Sequence, residues 1–159
     1  MSGLVYDTGA LIAAESGDRR VWAMHKRALE RGITPVVPAG VIVEAWRGGP
    51  AADLSRLLAG TRTEELTEEA ARASGKLLGR ADGTVEAVDA TVVELALRRG
   101  DAVVTGNDAH IRQLAGAARR RLDIIHCYQQ HRPETDRIRL HRVCAPLGRI
   151  LDYAVFMSL

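Results

Sequence analysis

Short, unbroken apolar runs alternate along the chain with longer segments in which apolar residues recur every three or four positions. "LVY" at residues 4–6, "PVV" at 35–37, "AVVT" at 102–105 and "LDIIH" at 122–126 are of the first kind and predict buried strands. Residues 8–15, 18–31 and 85–99 are of the second kind and predict helices, the last two closed by Gly32 and Gly100. Pro38 suits a helix start, and "AGVIVEAWR" carries that helix to Gly48-Gly49. "AADLSRLLAG" predicts a short amphipathic helix ending at Gly60, and residues 61–65 a short edge strand. "LTEEAARASGKLLGR" predicts a helix led by Thr67 and Glu68-Glu69, and a last helix is expected over 108–119. Continuously apolar strands separated by helices imply an α/β fold, with a parallel sheet covered on both faces.

In such a sheet ligands bind beyond the carboxyl ends of the strands, where the strand order reverses. Asp7 stands at one such end, in "LVYDTGALI", and "TGND", residues 105–108, stands at another. Two further acids lie in apolar helical surroundings: Glu44 in "VPAGVIVEAWRGG" and Asp89 in "TVEAVDATVVELALRRG". Each has an ordinary structural use. Asp7, Asn107 and Asp108 suit helix caps, Glu44 can reach solvent from an amphipathic helix, and Asp89 sits at the margin of an apolar face. Together, acids gathered at one sheet edge repel one another unless a counter-charge is present. Hard divalent ions such as Mg²⁺ take oxygen ligands, and the chemistry expected of such a site is metal-assisted phosphodiester hydrolysis.

Composition narrows this picture. A length of 159 residues suits a single core, and 47% hydrophobic with 26% charged residues is ordinary globular usage. Only 4% of residues are aromatic, which argues against binding nucleic acid by base stacking on an aromatic platform. No apolar run reaches the roughly 20 residues of a membrane span. No basic segment followed by an apolar run opens the chain, so a cytoplasmic protein is expected. The net charge is +2, and residues 127–159 carry five Arg against three acids, leaving the rest balanced. Basic clusters at Arg19-Arg20, Lys26-Arg27, Arg98-Arg99 and Arg119-Arg120-Arg121 read as solvated helix faces that can also meet phosphate. Cys127 and Cys144 form no metal-ligand spacing and read as free thiols.

With these residues in view, the chain over about 3–126 resembles the PIN-domain ribonucleases, above all the VapC-type toxins of bacterial toxin–antitoxin pairs. The resemblance rests on "LVYDTGALIAAE", "VVPAGVIVEAWRGG", "VEAVDATVVELALRRGDAVVTGND" and "LDIIH". It implies a Rossmann-like α/β/α sandwich with a central parallel sheet and RNA cleavage dependent on Mg²⁺ or Mn²⁺. It also implies a homodimer and a cognate antitoxin as partner. Carried over position by position, it makes Asp7, Glu44, Asp89 and Asp108 the catalytic acids, with Asp7, Asp89 and Asp108 as metal ligands. Thr8 and Thr105 match hydroxyl positions that support the cluster. The ungapped pattern puts Asn107 at the fourth position, so Asn107 and Asp108 compete for it. Arg47, three residues after Glu44, is a candidate contact to RNA phosphate.

Rival readings differ in their chemistry. An aspartyl nucleophile on the first strand normally needs a second Asp two residues on, where this chain has Gly9. Neither GxGxxG nor GxxxxGK[ST] occurs. A non-catalytic PIN-like domain that binds RNA or protein is the alternative, kept open by Asn107 and by the tail. The expected organisation is a PIN domain over 1–126 and an extension over 127–159 that is docked, disordered or foreign to the parent domain.

Overall fold

A computed structural model describes residues 3–48, 51–81 and 84–127. All of the expected tail beyond Cys127, with Cys144, and Gly49 therefore lie outside the described residues. The chain runs β1 (Leu4–Tyr6), α1 (Thr8–Glu15), α2 (Arg19–Glu30), β2 (Val36–Pro38), α3 (Ala39–Ala45) and α4 (Ala52–Ala59). It continues β3 (Arg62–Glu64), α5 (Glu68–Leu78), α6 (Ala87–Arg99), β4 (Ala102–Thr105), α7 (Asp108–Ala117) and β5 (Ile124–His126). Among the described residues no helix is long and apolar enough to cross a membrane.

The described strands form one parallel sheet in the order β3-β2-β1-β4-β5. Val5 pairs with Val36 on one side and Val103 on the other. From β1 the chain steps outward through β2 to β3, crosses back to β4 and steps outward again to β5. Right-handed crossovers then put the helices of the two excursions on opposite faces, and the contacts agree. Helices α1, α2 and α4 pack together in one layer, α5, α6 and α7 in the other, and α3 touches both α1 and α6. This is the α/β/α sandwich that the alternation of runs predicts. Val5, Tyr6, Val103 and Val104 are fully buried between the layers, as central strands covered on both faces require.

Local chemistry explains the helix boundaries. Asp18 caps α2 by accepting from the Arg20 and Val21 N–H groups, and Thr67 caps α5 by accepting from Ala70. Gly100 ends α6 at φ +72°, a left-handed stop that glycine adopts at little cost. Of the boundaries that differ from the sequence reading, three lie near the acids. Pro38 is the last residue of β2 as well as the residue before α3; its φ of −60° serves both. Helix α3 ends at Ala45, with Trp46 extended, so Arg47 follows the helix instead of riding on it. The run Val41-Ile42-Val43 is β-branched, which weakens a helix, and Val43 gains nothing from packing because it is 75% exposed. Helix α6 begins two residues late, which puts Asp89 in its first turn.

Candidate active site

The strand order reverses between β1 and β4, and Asp7 sits at the carboxyl end of that junction. Its N–H donates to the Val104 carbonyl at 3.1 Å, tying the residue to the neighbouring strand. Its Oδ1 accepts the Ala10 N–H at 2.9 Å, so Asp7 does cap α1. Thr105, fully buried at the end of β4, accepts the Asn107 N–H at 2.8 Å on its hydroxyl oxygen, and that hydroxyl also hydrogen-bonds the Asp7 carboxylate. The close approach depends on Gly9. A Cβ there would stand 2.6 Å from the Gly106 nitrogen and 2.8 Å from its Cα. "DTG" and "TGN" thus pack backbone to backbone, and this brings the two strand ends to one place.

Asp7 is 4% exposed. Burial is the largest influence on its carboxyl and, reinforced by the nearby charge of Asp89, raises its pKa to about 6. Hydrogen bonds from Thr105, Ala10 and Gly9 work in the opposite direction. The carboxylate is therefore held where its negative charge is poorly solvated, the condition that a bound cation relieves.

Glu44 and Asp89 approach from α3 and α6, which pack together at this edge; Gly40 lets the Val88 side chain come within 3.5 Å of where a Cβ would lie. The Thr8 hydroxyl donates to Glu44 Oε2 at 2.5 Å, so this acid is half-buried and held to the residue after Asp7, not spread into solvent. Asp89 Oδ2 takes a hydrogen bond at 3.0 Å from Nδ1 of His110, in the first turn of α7. Asp108 is turned toward Arg112 on its own helix, at 3.2 Å. Asn107 precedes α7 but makes no side-chain cap bond. Arg47 is exposed. Among the described residues, no hydrogen bond or ion pair joins Asp108 or Arg47 to the other acids.

His110 is the member of this group that the sequence reading missed. A signal was available: it lies three residues after Asn107, one turn into the same helix, and so faces the same edge. Cys127 also approaches from the end of β5, donating its N–H to the Thr105 carbonyl at 2.8 Å. Burial, and then the charge of Asp7, push its thiol up to about 12. It stays a neutral thiol in the core, not a thiolate ligand.

The donors of the site are carboxylate and hydroxyl oxygens, a set that suits a hard divalent ion. Among the described residues, no three His, Cys, Asp or Glu side chains are gathered closely enough to cage an ion unaided. Such donors fit a hard divalent ion held by one or two carboxylates, with water and substrate oxygens completing its shell. A hollow of about 790 Å³ lies at the far ends of α5 and α7, and among the described residues Arg80, Gln113 and Arg119 are its polar lining.

The sequence profile of the PIN domain family matches residues 4–117. Comparison with curated protein sequences gives no significant match. Among solved structures, the chain is similar to VapC20, a sarcin–ricin-loop-cleaving toxin of Mycobacterium tuberculosis. Identity is 19% and the TM-score 0.53, covering 68% of this chain and 92% of that one. It is similar to VapBC2 of Rickettsia felis bound to a promoter DNA fragment (13%, TM-score 0.58, covering 77% and 97%). It is also similar to DNA-bound VapBC of Salmonella typhimurium (18%, TM-score 0.57, covering 79% and 98%). These likenesses are of fold.

Proposed function

Because the chain belongs to the PIN domain family, we propose that it is a divalent-metal-dependent endoribonuclease and the toxin of a toxin–antitoxin pair. One observation carries this reading. At the junction where the strand order reverses, Asp7 is buried with a pKa of about 6, and the Asp89 charge lies close enough to raise it. A structural cap gains nothing from a second carboxylate beside it, whereas a cation site does.

Asp7 and Asp89 hold the ion in this reading, and Thr105 keeps Asp7 oriented. When bound, Mg²⁺ or Mn²⁺ supplies neutralisation of charge on the attacked phosphodiester and eases deprotonation of the attacking water. Glu44, its Oε2 anchored by Thr8, orients that water and accepts its proton through the other oxygen. Asn107 and Asp108 follow β4 at the same edge of the sheet. Asn107 can hold a water through its carbonyl, while Asp108 needs to leave Arg112 before it can contribute charge. Arg47, exposed just beyond α3, is the candidate contact to an RNA phosphate in this reading. An antitoxin and a second copy of the chain are the expected protein partners. Val43 on α3, at 75% exposure, and Trp46 just past its end, at 44%, give this segment exposed apolar surface on which either can pack.

The test is incubation of purified, antitoxin-free protein with total cellular RNA and with a sarcin–ricin loop oligonucleotide, with Mg²⁺, Mn²⁺ or chelator. Metal-dependent fragments are expected, with a loss of roughly 100-fold or more in Asp7→Asn. A folded protein that cuts neither RNA with either metal is a binding module instead.

A further inference from the structure

We propose that His110 is a positioning residue for the metal site: its Nδ1–H locks one oxygen of Asp89 and thereby presents the other toward Asp7. The inference rests on the metal-dependent reading above and adds to it a residue outside the acidic set.

The lock follows from how the two helices meet. Asp89 is the third residue of α6 and His110 the third residue of α7, and both helices start at the carboxyl edge of the sheet. The helices pack together, so their first turns face each other and Nδ1 comes within 3.0 Å of Oδ2. An ionised carboxylate only accepts hydrogen bonds, so the hydrogen lies on Nδ1. An unconstrained neutral imidazole carries its hydrogen mostly on Nε2; the contact therefore selects the rarer tautomer.

His110 is the sole hydrogen-bond partner that the described residues give the Asp89 side chain, which leaves Oδ1 open. A third-position acid in a helix often folds back onto its own N-terminus, which would point Asp89 away from Asp7. Glu86, before α6, makes no side-chain cap bond, so that end of the helix offers an alternative partner. His110 holds Asp89 out of that competition. The arrangement matches the one already seen at Glu44, where Thr8 fixes Oε2 and leaves the second oxygen to the cleft. Glu44 and Asp89 are thus each held through one oxygen by a donor on a neighbouring element. Such outer partners typically govern metal affinity by 10- to 100-fold.

The experiment has two arms. Nitrogen-15 spectra of the metal-free protein read the tautomer of His110 directly. Wild type is expected to show the Nδ1–H form, and Asp89→Ala to revert to Nε2–H. An Nε2–H tautomer in wild type overturns the lock whatever the protein's activity. The second arm measures Mn²⁺ affinity by calorimetry, without RNA, for wild type, His110→Ala, His110→Asn and His110→Gln. The Asn amide places a donor near the position of Nδ1, whereas the Gln amide reaches that of Nε2. Roughly 10- to 100-fold weaker binding is expected for Ala and Gln, with affinity within a few-fold of wild type for Asn. Equal affinity for Ala and wild type, or Asn as weak as Ala, overturns the proposal. Wild type with the Nδ1–H tautomer but no Mn²⁺ binding fails the metal-dependent reading itself, and the positioning role goes with it.

Discussion

Asp7 shows how one side chain can be both a helix cap and a strained charge. Its hydrogen bonds from Ala10 and Thr105 are those of a good cap, yet burial outweighs them and leaves the pKa at about 6 against an ordinary 3.8. The folded protein therefore binds a proton more readily than the unfolded chain between about pH 4 and 6. Stability from this group is fully present below pH 4 and is lost as the pH rises through 6. At pH 8 the penalty is about 3 kcal/mol, taking 1.4 kcal/mol per pH unit. Asparagine keeps an oxygen for the Ala10 N–H and carries no charge. Asp7→Asn is thus expected to melt higher than the metal-free wild type at pH 8, with the gap closing by pH 4 to 5. Thermal melts of both proteins across that range check this; a mutant that melts lower at every pH would mean that the carboxylate is well solvated. His25 pulls the other way. It is buried against the Tyr6 hydroxyl at 3.2 Å, and its pKa is lowered by burial. Below about pH 6.5 the unfolded chain gains a proton that the folded His25 resists, so the low-pH comparison must be made between the two proteins, not from wild type alone.

At the scale of elements, the site exists because α1 and the β4–α7 loop touch through Gly9 and Gly106. A methyl on Gly9 would meet backbone on the other side, at 2.6 Å from nitrogen and 2.8 Å from Cα, and backbone cannot turn aside as a flexible side chain can. Gly9→Ala is expected to cost about 1–3 kcal/mol, and to lower metal-dependent cleavage by parting Thr105 from Asp7. Gly75, exposed in α5 with nothing within 4 Å of its missing Cβ, is the control. Gly75→Ala should stabilise by about 0.5–1 kcal/mol through helix propensity alone. Denaturant midpoints of the two variants should move in opposite directions. These contacts also mark how far the sequence could be read. The sheet was legible because "LVY", "PVV" and "AVVT" are too short and too apolar for anything but covered strands. Asp7 was legible because a charge ending such a run is expensive. The pairing of Asp89 with His110 was not, because it joins residues 21 apart on separate helices, and no local period reports the packing of α6 on α7. The end of α3 escaped for a related reason: its apolar run looks like continuing helix, but Val43 faces outward, so packing does not sustain the turn. The outward pairing of Asp108 with Arg112 was in principle readable, as an i, i+4 pair on one helix face.

Over the whole molecule, the sheet gathers negative charge at its carboxyl edge, and among the described residues no arginine or lysine pairs with Asp7, Glu44 or Asp89. Arg112 is committed to Asp108 on the outer side of α7, and Arg98 to Glu64 and Glu94 across β3 and α6. Folding therefore brings Asp7 and Asp89 together at a cost that the hydrophobic core must offset, and an ion binding only the folded state returns part of it. Linkage gives the size: at a concentration 100 times its dissociation constant, a ligand of the native state stabilises by about 2.7 kcal/mol. For a domain of this length that corresponds to roughly 5–10 °C in melting temperature. Saturating Mn²⁺ is thus expected to raise the melting point of wild type by several degrees at pH 8, with chelator reversing the shift. Asp7→Asn, already relieved of the repulsion, should start higher and respond little. The two effects have one origin, so the increment from the ion and the increment from the mutation should not add. A melting point that rises equally with Mn²⁺ in both proteins would locate the ion away from this edge. A rise in wild type alone would tie the stability of the whole sandwich to the charge stored where β1 and β4 part.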